Sequence, residues 1–123
     1  MGKKILVADD EQNIVLSLEF LLKREGFEVL VAHDGAEAIT RIRAERPHLA
    51  ILDVMMPHRN GFEVCQEVRN DPELAGLRIM MLTAKGRDTE VSKGLALGAD
   101  AYMTKPFSTK DLIARVRTLL EVD

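Results

Sequence analysis

The sequence of 123 residues has little cysteine, no strong excess of charge and no long apolar run. Its single cysteine, Cys65, cannot form a disulfide within the chain, which fits a reducing compartment. The formal net charge of -3 provides no basic surface for holding nucleic acid directly. The start, MGKKILVADD, is too short in apolar residues for a signal peptide, and no run reaches the length of a membrane span. We therefore expect a cytoplasmic, water-soluble domain that contacts neither membrane nor nucleic acid by itself.

Short apolar runs alternate with longer segments of helical spacing along the whole chain, which we interpret as one domain, residues 1–123. Runs rich in Val, Ile and Leu are typical of parallel strands that are covered on both faces. The five runs are Ile5–Ala8, Phe27–Ala32, Leu49–Leu52, Leu77–Leu82 and Ala99–Met103. Five strands that alternate with five helices predict an α/β fold, a doubly wound parallel sheet between two helical layers.

The ends of the predicted helices carry recognisable signals. Gly26 and Gly98 each follow an apolar helical stretch and are expected to end it. Ser108 precedes the stretch TKDLIARVRTLL and can cap it, with Asp111 as the partner in a capping box.

Polar residues stand at the ends of several predicted strands. Asp9 and Asp10 end the first run, Asp53 the third and Thr83 the fourth, and Lys105 follows the fifth. In doubly wound sheets these ends share one edge, where ligands bind. Two carboxylates about 5 Å apart repel by roughly 3 kcal/mol at an effective dielectric constant near 20. Either one carboxyl group keeps a proton or a cation joins them, and hard oxygen ligands beside one lysine suit Mg²⁺.

A Mg²⁺ site with a threonine and a lysine nearby is suited to phosphoryl transfer. The metal and Lys105 would neutralise phosphoryl oxygens, while Asp53 could attack phosphorus to give an aspartyl phosphate. Thr83 could donate its hydroxyl hydrogen to a phosphoryl oxygen. Asp53 is therefore the candidate nucleophile.

Four sequence elements in order resemble the receiver domain of bacterial two-component response regulators, the CheY-like superfamily, over essentially the whole chain. They are LVADDEQNI, ILDVMMPHRNGFE, MLTAK and GADAYMTKPF, each at a predicted strand end. The resemblance implies a flavodoxin-like fold with strand order 2-1-3-4-5. It also implies a phosphoacceptor switch that catalyses only its own phosphorylation and dephosphorylation, and not an enzyme in the usual sense.

The resemblance implies a role for each site residue. Asp53 would accept the phosphoryl group from a sensor histidine kinase or a phosphotransfer protein. Asp10, Asp53 and the backbone carbonyl of Met55 would ligate Mg²⁺, with Asp9 acting largely through a metal-bound water. Lys105 would contact the acyl phosphate, and the bond from Lys105 to Pro106 is expected to be cis.

The resemblance also implies a switch. Thr83 and Tyr102 would form the switch pair, because the added charge would draw Thr83 inward and let Tyr102 rotate into the vacated space. The surface formed by the predicted helix around residues 87–97, the fifth strand and the fifth helix would then change. That surface would control a partner or an effector domain.

Receivers similar in their last third form homodimers through the same surface, using ion pairs across the interface. Asp100 and Arg115 stand where an acid and a base are partnered in that pattern, whereas Ala101 replaces a usual acid. Met55 and Lys85, two residues after Asp53 and Thr83, carry neither an acid nor an amide that could orient an attacking water. We therefore expect a comparatively long-lived phosphorylated state.

Several alternatives stay open in the sequence. A flavodoxin-like electron carrier would share the fold, but the loop DDEQN would repel a flavin phosphate. An aspartate-based phosphohydrolase would need a general acid at the position of Met55. A degenerate receiver that only binds partners would lack one of the key residues. The sequence also leaves open whether the receiver is free-standing or belongs to a longer regulator. Cys65 is interpreted as core packing, and the three histidines as solvated or structural.

Overall fold

The computed structural model describes residues 3–84 and 97–121, which form a parallel sheet with helices on both faces. The strands are β1 (Lys4–Ala8), β2 (Glu28–Ala32), β3 (Leu49–Asp53), β4 (Arg78–Ala84) and β5 (Ala101–Lys105). Every neighbouring pair is parallel, and the order is β2-β1-β3-β4-β5. The predicted fold class and strand order are thus confirmed.

Four α-helices lie within the described ranges, together with a short 3₁₀ turn, Pro72–Leu74. The helices are α1 (Gln12–Arg24), α2 (Gly35–Glu45), α3 (Gly61–Arg69) and a last helix, Thr109–Leu120. Lys85 lies outside the described residues, and so does the further helix predicted around residues 87–97 except for its last residue. Within these ranges the structure contains no helix that is long and apolar enough to span a membrane.

The core consists of two layers, one on each face of the sheet. Successive side chains of a strand point to opposite faces, so neighbours in sequence join different layers. Leu52 and Met81 pack beneath α2 and α3, whereas Ile51 and Leu82 pack beneath α1 and the last helix. Burial on both faces explains why the strands are continuous apolar runs and do not alternate.

The helix termini fix the loops that border the sheet. Gly26 has a φ of 93°, which suits a glycine that ends α1. Asn60 and Glu63 form a capping box at the start of α3. Ser108 accepts a hydrogen bond from the backbone N–H of Asp111, as expected for the start of the last helix.

Observed strand ends differ slightly from those predicted. Lys105 was expected after the fifth strand but is the final residue of β5, because it pairs with Ala84 at the end of β4. Asp53 is the final residue of β3 and lies opposite Leu82. The carboxyl ends of β1, β3, β4 and β5 therefore meet at one edge of the sheet.

Candidate acidic site at the carboxyl ends of the strands

The structure brings together the three aspartates that follow or end β1 and β3. One carboxylate oxygen from each of Asp9, Asp10 and Asp53 lies within 4.8 Å of the others. Asp9 and Asp53 are buried, whereas Asp10 is exposed. The sheet order accounts for this arrangement, since β1 and β3 are adjacent and end at the same level.

Lys105 reaches into this group from the end of β5. Its ammonium nitrogen lies 2.9 Å from Asp9 Oδ2, 3.0 Å from Glu11 Oε1 and 3.4 Å from Asp53 Oδ1. The peptide bond between Lys105 and Pro106 is cis, as the resemblance implied. One ammonium is thus shared by three carboxylates.

Asp9 connects the site to the start of α1. Its Oδ1 accepts a hydrogen bond from the backbone N–H of Glu11 at 2.9 Å. Its other oxygen, Oδ2, is fully buried and faces Lys105 as an ion pair, without a well-directed hydrogen bond. Asp9 therefore shapes the loop before α1 and also presents an under-satisfied oxygen to the site.

Burial and charge shift the ionisation of both Asp53 and Lys105. Loss of solvent and the nearby Asp9 carboxylate raise the pKa of Asp53 from 3.8 to about 7, against the opposing effect of Lys105. Burial alone would lower the pKa of Lys105. The close contacts with the Asp9 and Glu11 carboxylates, and the negative charge of Asp53, outweigh burial and raise the pKa of Lys105 above its usual range. Lys105 stays charged, and one ammonium does not neutralise all of its acidic neighbours.

The donor set fits a hard divalent cation. All three aspartates offer carboxylate oxygens at one place, and Asp9 Oδ2 still lacks a directed hydrogen bond. Mg²⁺ prefers oxygen ligands, and a second positive charge would compensate the carboxylate excess. Met55 lies beside them, since its backbone N–H bonds to the Asp53 carboxylate, while its side chain is 59% exposed.

The two residues predicted as a switch pair lie on adjacent strands. Thr83 is 1% exposed near the end of β4, and Tyr102 is half-buried on β5. Tyr102 stands opposite Met81 in the ladder and packs against the core layer beneath α2 and α3. Strand alternation places Thr83 on the same face as Met81.

Two charged residues make contacts that sequence reasoning missed. Glu11 accepts a hydrogen bond from the Lys105 ammonium, although the sequence indicated only that a helix starts near it. Its position directly after Asp9 and Asp10 was the one sequence feature that could have indicated a role at the site. Asp100 accepts a hydrogen bond from Arg69 within the chain at 2.7 Å, a contact that the sequence did not indicate. Its pairing with Arg115 across a dimer interface stays a prediction. Cys65 is fully buried, as expected for core packing.

A doubly wound sheet of this order, with an acidic cluster and a lysine at its carboxyl edge, defines a receiver-type α/β domain. The family described as response regulator receiver domain matches residues 5–117. The chain therefore belongs to the response regulator receiver family, whose members act as signalling switches in two-component systems.

Several solved structures have the same fold, and each match covers nearly the entire chain. A protein from Chloroflexus aurantiacus J-10-fl, described as a response regulator, is 35% identical with a TM-score of 0.94, and the match covers 98% of this chain and 99% of that one. The receiver domain of Francisella response regulator 1452 is 32% identical, with a TM-score of 0.90 and 98% coverage of both chains. The Vibrio cholerae chemotaxis protein CheY4 is 31% identical, with a TM-score of 0.90 over 97% of this chain and 99% of its own.

Proposed function

We propose that this domain accepts a phosphoryl group on Asp53, with Mg²⁺, from a sensor histidine kinase or a phosphotransfer protein. The observation that carries the proposal is the position of Asp53, which is 5% exposed and lies beside both Asp9 and Lys105. A carboxylate is rarely buried without a compensating charge. Here it lies at the sheet edge where a phosphoryl group can approach.

In the proposed reaction an Asp53 carboxylate oxygen forms a bond to phosphorus. The bond between phosphorus and the donor histidine nitrogen breaks, and its electron pair remains on the imidazole, which then takes a proton. The product is a mixed carboxylic–phosphoric anhydride. Lys105 would contact the transferred oxygens, since its ammonium already lies 3.4 Å from Asp53 Oδ1.

Asp10, Asp53 and the backbone carbonyl of Met55 would hold Mg²⁺, and Asp9 would act through a bound water. When bound, Mg²⁺ supplies charge neutralisation and orientation for phosphoryl oxygens. The carboxylates must be ionised for both nucleophilic attack and metal binding. Lys105 favours that ionised form, because its charge opposes the rise in the pKa of Asp53.

The proposed output is a change at β5 and its neighbours. A phosphoryl group on Asp53 would draw the Thr83 hydroxyl towards it and let Tyr102 rotate, which would alter the surface of β5, the last helix and the segment before β5. Both residues lie on strands that end at the site, which supports this coupling. The altered surface would control a partner or an effector domain.

Membership of the receiver family supports a proposal on partners and location. We place the domain, residues 1–123, in the cytoplasm as the receiver of a phosphorelay. One similar structure is the receiver domain of a signal transduction histidine kinase from Syntrophus aciditrophicus, 29% identical with a TM-score of 0.91. We also propose a homodimer as an alternative assembly, formed through β5, the last helix and the segment before β5. Asp100, one of the residues expected at that interface, is bonded to Arg69 within the chain.

The test is incubation with acetyl phosphate and Mg²⁺, followed by intact mass. Wild type should gain one phosphoryl group, Asp53→Asn should gain none, and chelation should prevent the gain. Asp111→Asn, on the exposed start of the last helix, is the matched control and should be labelled like wild type. If Asp53→Asn is labelled as readily as wild type, the nucleophile is misassigned.

The lifetime of the phosphorylated state is a separate part of the proposal. The exposed Met55 thioether cannot orient a water for attack, so we expect slow loss of the phosphoryl group after the donor is removed. The decay of the phosphorylated mass measures this directly. Multiple turnover of phosphate esters would instead support a phosphohydrolase.

A further inference from the structure

We propose that Glu11 is a positioning residue that holds Lys105 while Asp53 is unphosphorylated and gives it up when Asp53 carries a phosphoryl group. This inference rests on the proposed function. It adds that the Glu11 carboxylate competes with the phosphoryl group for Lys105, which the proposed function does not itself require.

Three carboxylate oxygens surround the ammonium of Lys105: Asp9 at 2.9 Å, Glu11 at 3.0 Å and Asp53 at 3.4 Å. Glu11 Oε1 accepts a hydrogen bond from the ammonium, whereas Asp9 Oδ2 faces it as an ion pair. To donate to a phosphoryl oxygen on Asp53, the ammonium has to turn away from one of the two shorter contacts.

The two shorter contacts of Lys105 differ in how easily they can be broken. The Asp9 side chain is fully buried, so separating it from Lys105 would leave a charge without solvent. The Glu11 side chain is 62% exposed, so water can replace the lysine there. Of the two shorter contacts, the one to Glu11 is therefore the easier to break.

Glu11 is held near Lys105 through its backbone. Its backbone N–H donates to Asp9 Oδ1, and it is the residue directly before α1. The backbone of Glu11 is thus fixed by one site residue, while its side chain spans to another at the end of β5. This makes Glu11 an integral part of the resting arrangement of Lys105.

The consequence is that Glu11 opposes phosphorylation through Lys105. Glu11→Gln keeps the shape but removes the charge, and we expect phosphorylation by acetyl phosphate to become about two- to five-fold faster, the scale of an exposed ion pair. Glu11→Asp keeps the charge but shortens the side chain by one methylene. It should show most of the same increase, whereas a general effect of charge would leave it like wild type.

A double-mutant cycle tests whether Glu11 affects phosphorylation through Lys105. In a Lys105→Ala background, Glu11→Gln should change the initial rate by less than about 1.5-fold, because the coupled partner is gone. The inference is overturned by an unchanged or slower Glu11→Gln, by a Glu11→Asp variant that matches wild type, or by an equal gain without Lys105. Where Lys105→Ala is labelled too slowly to measure, the comparison of Glu11→Gln with Glu11→Asp decides.

The same experiment separates this inference from the proposed function. Labelling of Asp53→Asn, or no labelling of wild type, would remove the proposed function itself. Wild type labelled at Asp53, with the Glu11 variants equal to it, would remove only the role of Glu11.

Discussion

Two ionic clusters lie at opposite ends of β5 and differ in how their charges are satisfied. The Lys105 cluster comprises Lys105, Asp9, Glu11 and Asp53 at the carboxyl end. The Arg69 cluster comprises Arg69, Arg78 and Asp100 just before the strand begins. In the Lys105 cluster one cation forms ion pairs with three acids, whereas in the Arg69 cluster one acid forms ion pairs with two cations.

The Arg69 cluster is completed by the backbone. Arg69 Nε donates to the carbonyl of Gly98 at 2.9 Å, and Nη1 donates to that of Leu77 at 2.7 Å. Asp100 Oδ2 also accepts the backbone N–H of Ile79 at 2.8 Å. The buried donors and acceptors are matched, so this cluster ties α3 to the start of β4 and to the turn before β5.

The Lys105 cluster lacks that completion. Asp9 Oδ2 has no directed hydrogen bond, and the pKa of Asp53 is raised to about 7. A network with matched charges stabilises the fold, whereas one with excess negative charge can still bind a cation. Mutations should therefore separate stability from ligand response.

The largest expected effect concerns Asp53 in protein without Mg²⁺. The pKa of Asp53 is about 7 in the folded protein, whereas an unperturbed aspartate, as in the unfolded chain, has a pKa of 3.8. Between these two pH values Asp53 is protonated in the folded protein but ionised in the unfolded chain. Stability should therefore fall as pH rises from about 4 through 7. Asp53→Asn lacks this loss, so its advantage over wild type should grow by about 2–3 kcal/mol between pH 5 and pH 8. Urea unfolding in chelator at both pH values measures it, and an equal gap at both would contradict it.

Arg69→Ala should cost about 2–3 kcal/mol of unfolding free energy, because it removes the guanidinium that donates to Asp100 and to two backbone carbonyls. Arg69→Lys, which keeps the charge but not the three-way contact, should be intermediate. Both should still be labelled by acetyl phosphate under conditions where they are folded. A loss below about 0.5 kcal/mol for Arg69→Ala would show that this cluster does not hold the fold.

Mg²⁺ should act on the acidic site of Asp9, Asp10 and Asp53 and not on the Arg69 cluster. At ten times its dissociation constant the ion should stabilise wild type by about 1.4 kcal/mol in thermal unfolding. Arg69→Lys should gain the same amount, whereas Asp10→Asn should gain much less at the same concentration. Equal stabilisation of Asp10→Asn would place the ion elsewhere.

The smallest expected effect belongs to Arg78. It is exposed and lies 3.9 Å from Asp100 Oδ1, so Arg78→Gln should change the unfolding free energy by less than about 0.5 kcal/mol. Urea unfolding beside Arg69→Ala checks this. A loss of unfolding free energy as large as that of Arg69→Ala would mean that Arg78 contributes as much as Arg69 to the stability of this cluster.

Much of the fold was predictable because parallel strands buried on both faces leave a strong pattern. The runs that contain Leu49–Leu52 and Leu77–Leu82 correspond to β3 and β4, and the order of the sheet followed from the family resemblance. The predicted strand ends were less accurate, because a strand ends where its pairing with the neighbouring strand ends. The pairing of Ala84 with Lys105 depends on both β4 and β5 and cannot be found from either segment alone.

The gathering of Asp9, Asp10 and Asp53 was predictable because carboxyl ends of adjacent parallel strands must meet. The contacts of Glu11 and Arg69 were not, because long flexible side chains span between elements that are far apart in sequence. Glu11 and Lys105 are separated by 94 positions, and Arg69 and Asp100 by 31. No periodicity records such pairs.

The glycine that opens α2 is required by the close approach of a neighbouring loop. A Cβ on Gly35 would overlap the backbone carbonyl of Arg59, so the connection between β3 and α3 lies directly against the start of α2. Any larger residue at position 35 would therefore push this connection away from α2. Because the same connection carries Met55, such a substitution would disturb the acidic site from a helix that contributes none of its ligands.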